Sequence, residues 1–150
     1  MPPMMPPGGG GGYAMAAPSN LASPGMRIVG GLIDVVILLV VLGIVDAIFR
    51  GNYGFASAVN IVLAVLYFAY FWSSRGASIG MMPFGFKVRD MQTGQYPTMG
   101  KAALRGFIWW LEFGLTFLCL IGFVGWGWQL WDAQKQAIHD KISGTIVTTT

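Results

Sequence analysis

The sequence predicts an all-helical (all-α) integral membrane protein, and three observations carry that prediction. Hydrophobic residues make up 55% of the chain and charged residues only 10%, where a soluble domain carries about a quarter charged. The mean hydropathy is +0.62. Apolar runs recur at roughly the 20-residue length that a helix needs to cross a bilayer. A chain of 150 residues with so few charges cannot hydrate its own surface, so the lipid bilayer is its first expected partner.

The first segment, residues 1–24, is rich in Pro and Gly and holds no Lys, Arg, Asp or Glu. Repeated Pro and Gly interrupt any helix, and such a composition buries too little apolar surface to offset chain entropy. It is expected to be a disordered cytoplasmic tail rather than a secretory signal, which needs a positive start and a continuous apolar core. The transmembrane domain then covers residues 25–150.

Ile28 to Phe49 is the first apolar run, and at helical rise it is about 33 Å long. The link from Arg50 to Gly54 leads to a second run, Phe55 to Trp72, which ends in the Tyr, Phe and Trp cluster suited to a membrane interface. These two spans, 28–49 and 55–72, form a helical hairpin. Ser73 to Arg105 is polar and basic. Within it, Gly85 to Asp90 alternates in polarity and precedes a Thr-Gly turn, which predicts a small β-hairpin around 85–96. Thr98 is the expected N-cap of the next helix.

The third apolar segment, Gly106 to Trp131, is long. Gly122, Gly125 and Gly127 crowd its second half, and a helix begun at Thr98 is already about 35 Å long by Ile121. The segment is therefore expected to break near 122–127 into a span over 106–121 and a returning fourth helix over 123–138. One straight third crossing is the alternative. Lys and Arg concentrate on the cytoplasmic side of span ends. Arg27, Arg75, Lys87, Arg89, Lys101 and Arg105 share one face in both topologies. A return adds Lys135 and Lys141 to them and leaves Arg50 alone opposite. The charge asymmetry favours the return, with the N-terminus cytoplasmic.

Nine basic residues against six acidic give a net charge of +3, but they are dispersed beside apolar spans, which points to a membrane surface and away from nucleic acid. Cys119 is the single cysteine; it reads as a small apolar residue of a span. No spacing of His and Cys suggests a metal, no Gly-rich loop suggests a phosphate cofactor, and His139 beside Asp140 is no catalytic triad. Most of the tryptophans, among them Trp109, Trp110, Trp126, Trp128 and Trp131, read as interfacial belt and packing.

Ionisable groups inside spans carry the functional weight, because a charge in hydrocarbon costs several kcal/mol unless paired or hydrated. Arg27 and Asp34 are seven residues apart and share one helix face, about 10 Å from each other along the axis. Arg105 and Glu112 repeat that spacing in the third span, at similar depth. Asp34 and Glu112, with Asn60 from the second span, form a candidate ion or proton site; the bland reading makes each an interhelical hydrogen-bonding group. Asp46 and Arg50 are expected to pair as an i,i+4 anchor.

The segments R-I-V-G-G-L-I-D (Arg27 to Asp34), S-I-G-M-M-P-F-G-F-K-V-R-D (Ser78 to Asp90), P-T-M-G-K-A-A-L-R (Pro97 to Arg105) and Q-A-I-H-D-K-I-S-G-T-I-V (Gln136 to Val147) resemble the RDD family of small membrane proteins, named for one arginine and two aspartates. The resemblance covers about Arg27 to Val147. Arg27 and Asp34 fall on the arginine and aspartate of the family's first helix, and Asp140 on its second aspartate. Met81 and Met82 stand where the family often has a basic pair, and D-A-Q-K-Q stands where it often has several arginines.

The resemblance implies a multi-pass membrane protein, suggested to act in transport, with no agreed ligand, and it does not imply an enzyme; the expected location is the cell membrane of a prokaryote, and no enzymatic activity is expected. It also implies that Arg27, Asp34 and Asp140 form a charge network at the inner interface. The IVTTT tail is then free to pair as a strand with Gly85 to Asp90. The leading expectation is a small transporter or ion-coupled carrier acting as a homo-oligomer. The other is an accessory or assembly subunit of a larger membrane complex.

Overall fold

The computed structural model describes residues 18–150, with the backbone alone for 119 and 121. Helices α1 (Pro24–Ile48) and α2 (Tyr53–Arg75) form an antiparallel pair; strand β1 (Phe86–Asp90), helix α3 (Met99–Cys119), short helices α4 (Ile121–Gly127) and α5 (Ile138–Ser143), and strand β2 (Thr145–Thr149) follow. Two helices, α1 and α2, are long and apolar enough to cross a membrane. Residues 1–17 of the tail lie outside the described residues. Of the remainder, Leu21 bridges to Thr148, and Ala22 N–H donates to the Val147 carbonyl at 3.0 Å.

Helix boundaries follow local chemistry. Pro24 opens α1, its ring holding φ where a first helical turn needs it. Asn52 and Thr98 cap α2 and α3 by accepting from Phe55 and Lys101 N–H. α2 closes on Gly76 in the left-handed conformation, φ 66°. The spans therefore run longer than 28–49 and 55–72, and α3 starts seven residues ahead of Gly106, because its cap and not its apolar run sets the start.

Two expectations are corrected. The third segment breaks at Leu120, which takes φ 59°, ahead of the glycines. The returning stretch is not one helix over 123–138: it is α4, a 3-10 turn at Trp128–Leu130, an irregular link and α5. The glycines serve packing instead. A Cβ on Gly122 would sit 2.0 Å from the Glu112 carbonyl oxygen, so α4 lies directly on α3 backbone. Nor is there a hairpin over 85–96. The Thr-Gly turn closes, with Gly94 N–H on the Asp90 carbonyl at 2.8 Å, but β1 pairs antiparallel with β2, from Phe86 opposite Thr149 to Asp90 opposite Thr145.

α1 is built inside out relative to a water-soluble helix. Its buried stripe is Arg27, Gly30, Asp34 and Leu38, at helical spacing, whereas Leu32, Val36, Leu39, Val40, Ile44 and Ile48 face outward. A helix with its polar side chains inward and its aliphatic ones outward matches a lipid surround. Aromatic packing fixes α2 on α3: Phe68 stacks on Trp72 with centroids 4.4 Å apart, meets Trp109 at 4.6 Å, and Trp109 meets Trp126 of α4 at 5.3 Å.

Candidate functional site

Three helices converge on the Asp140 carboxylate, which has no exposed surface. Arg27, in the first turn of α1, forms an ion pair with Asp140 Oδ2 and donates from Nη1 to the Lys135 carbonyl. Arg105 of α3 donates from Nε and Nη2 to Oδ1 at 2.9 and 2.6 Å. The Ala137 N–H donates to Oδ2 at 3.0 Å, so the same carboxylate also caps α5. Burial pushes the Asp140 carboxyl up, but the positive charges of Arg27 and Arg105 outweigh it and hold the group well below the usual carboxylate range. Arg105 also stacks its guanidinium on Trp72, 3.9 Å from the ring centroid.

Two turns further along α3, Glu112 binds the start of α5 twice, accepting from His139 N–H at 3.1 Å and meeting His139 Nδ1 at 2.7 Å. Asp34 stands in a separate set of hydrogen bonds. Its Oδ1 accepts from Tyr67 hydroxyl at 2.7 Å and Gly80 N–H at 2.8 Å, and its Oδ2 from Ser78 hydroxyl. That approach requires glycine: a Cβ on Gly80 would stand 2.1 Å from the Gly30 carbonyl oxygen. Asp34 thereby ties α1 to α2 and to the loop behind it.

The structure brings Arg27 and Asp140 together and does not bond Asp34 to either. The second cation on Asp140 is Arg105, for which the only sequence signal is the seven-residue spacing to Glu112 that copies Arg27 and Asp34. Asn60 is not near Asp34 or Glu112 in the hydrogen-bond network; it donates to Asp46 at 2.8 Å. The expected Asp46–Arg50 pair gives way to that contact because α1 ends at Ile48 and Arg50 leaves the helical face. That Asp34 would meet Tyr67 and Ser78, and Glu112 His139, escaped sequence reading, since these partners lie on other elements. A small cavity of about 40 Å³ is lined by Arg27, Asp34, Arg105 and His139 among others. Among the described residues no group of three or more His, Cys, Asp or Glu is placed to hold a metal ion.

The RDD family profile matches residues 21–144, which takes in every residue of this cluster. The chain belongs to the RDD family. Among curated relatives, this RDD chain is 32% identical over 92 residues to an uncharacterized protein of Rickettsia prowazekii, covering 60% of this chain and 46% of that one. It is 32% identical over 79 residues to a proline-rich antigen homolog of Mycobacterium tuberculosis, covering 53% of this chain and 30% of that protein. The proline-rich antigen of Mycobacterium leprae matches over the same length, 29% of its own. The RDD chain thus matches less than half the length of each of these relatives. No solved structure matches it.

Proposed function

We propose that this RDD protein is a multi-pass membrane protein, not an enzyme, that acts as a small ion-coupled carrier with its N-terminus in the cytoplasm. One observation carries the reading: Arg27, Asp34, Arg105 and His139 line one small cavity inside an apolar chain, Asp140 and Glu112 are bonded to them, and all six are buried. Buried charges of this kind are retained where they are paired or where ions pass. The two arginines balance two of the three carboxylates. The six groups together are neutral when one proton is kept, on His139 or on a carboxylate. A cluster that is neutral with one exchangeable proton is suited to coupling.

The pairing of Leu21 with Thr148 supports a return of the C-terminus to the side where α1 begins. Wild-type protein in proteoliposomes is expected to move protons, sodium or potassium above the rate of empty liposomes. Asp34→Asn is expected to stay folded and to lose that flux at least tenfold. Absence of flux from wild-type vesicles rejects the carrier reading.

A second reading, a homo-oligomer or a subunit of a larger complex, is favoured by the groove bounded by α1, α2 and Trp110 of α3. It is lined by Leu39, Asp46, Ser57, Asn60 and Trp110, and its mixed polarity suits a helix better than lipid. Mass measurement in gentle detergent checks it; a lone monomer excludes it.

A further inference from the structure

Among the described residues, four buried polar atoms at the wall of the central cavity have no protein partner: Arg105 Nη1, Trp72 Nε1, Trp126 Nε1 and Gln129 Oε1. Arg105, Trp72 and Gln129 are only 2%, 2% and 4% exposed, so bulk solvent does not satisfy them. An unsatisfied buried group costs about 1–3 kcal/mol, and more when it is charged. Four such groups around one space are not scattered packing defects. They describe the guest the space is made for.

The guest must accept from three N–H donors and donate to one carbonyl oxygen. A halide meets the donors but turns its charge on Gln129 Oε1 and on the carboxylate of Asp34. A cation reverses the problem at Arg105 and the two indoles. Water does both. A cavity of about 40 Å³ has room for roughly three or four water molecules, at about 10–15 Å³ each.

We propose that this cavity is a built water site whose ordered molecules bridge Arg105, Trp72, Trp126 and Gln129 and join Asp34 on one wall to His139 on the other. His139 Nδ1 is held by Glu112, and its Nε2 lies 3.7 Å from Asp140, so the ring presents one nitrogen away from Glu112. The waters provide a hydrogen-bonded path between the two walls, along which a proton entering at one end releases another at the other end and leaves the waters unchanged. Use of the waters as a relay rests on the carrier reading; their presence does not.

The test uses the full chain in lipid nanodiscs with 15N-labelled tryptophan, and reads magnetisation exchange between water and each indole N–H. Trp72→Phe and Trp126→Phe assign the two signals by their loss. Both indoles are expected to show water cross peaks in the wild type, and Gln129→Leu is expected to weaken them severalfold by removing the acceptor. Absence of cross peaks at both indoles in the wild type means a dry cavity and overturns the proposal. Indole shifts that titrate with bromide at constant ionic strength also overturn it, in favour of an anion. Cross peaks without flux in vesicles sink the carrier and leave the water site standing; flux without cross peaks does the reverse.

Discussion

Asp140 accepts from Arg27, Arg105 and the Ala137 N–H at once, so neutralising it leaves two guanidiniums facing each other without a counter-charge. Breaking a buried pair from one side costs about 3–5 kcal/mol, whereas removing both partners costs far less. Asp140→Asn is therefore expected to lower thermal stability in detergent more than Arg27→Ala, which leaves Asp140 with Arg105. The double variant should lose less than the two single losses added. Simple additivity in that cycle would show the pair to be uncoupled.

The same carboxylate sets an acid limit. Its folded pKa is depressed below the unfolded value of about 3.9. The stability it contributes is therefore complete above that value and is lost as the pH falls below it. At Asp90 and Asp132, burial raises the carboxyl, but the hydrogen bonds of Lys101 and Lys141 outweigh it, so both are also lowered. In both pairs the carboxylate is covered but the lysine reaches solvent, so screening reduces what they add. The melting temperature is expected to drop as the pH falls from about 5 toward 2, and to drop less steeply in Asp140→Asn. A rise on acidification contradicts the assignment.

At the scale of elements, close approach is what the glycines supply. A Cβ on Gly80 would overlap the α1 backbone at Gly30, while one on Gly43 meets nothing within 4 Å. Gly80→Ala is expected to destabilise by about 1–3 kcal/mol through overpacking, and Gly43→Ala to be neutral or stabilising by about 0.5–1 kcal/mol. Equal melting temperatures for the two variants would remove the packing argument.

The same contrast marks what was legible in the sequence. The helix start at Thr98 was readable because a cap acts within three residues; the start of α2 at Tyr53 was not, since its cap, Asn52, lies in the polar link ahead of the apolar run. The break at Leu120 was not, since Gly122 and Gly125 looked like breakers and are contact points against Glu112. The Thr-Gly turn after β1 was readable, and so was the pairing of the IVTTT tail with Gly85 to Asp90; the second strand expected directly after the turn does not form, since β1 takes its partner 55 or more positions away. In the candidate site, Arg27 and Asp140 were readable through motif; Tyr67, Ser78 and His139 contact their carboxylates only through tertiary packing.

For the whole molecule, the basic asymmetry and the Leu21–Thr148 bridge both belong to an arrangement with the two described ends on one side. Cysteines at Asn52 and Thr149, in a Cys119→Ser background, are expected to react with an impermeant reagent from opposite faces of the membrane. Labelling of both from outside would exclude the returning chain.

The long reach of the ion pair also orders events during synthesis. Asp34 finds Tyr67 after 33 residues and Ser78 after 44, soon after the helical pair has left the ribosome. Arg27 waits for a carboxylate 113 residues downstream, which at about 5–20 residues per second is roughly 6–23 seconds. Through that interval Arg27 lacks its carboxylate, and Arg105 joins it for the last 35 residues. The last quarter of the chain is thus the latch of the first helix, and a translational stall before Ile138 is expected to leave the α1–α2 pair without it.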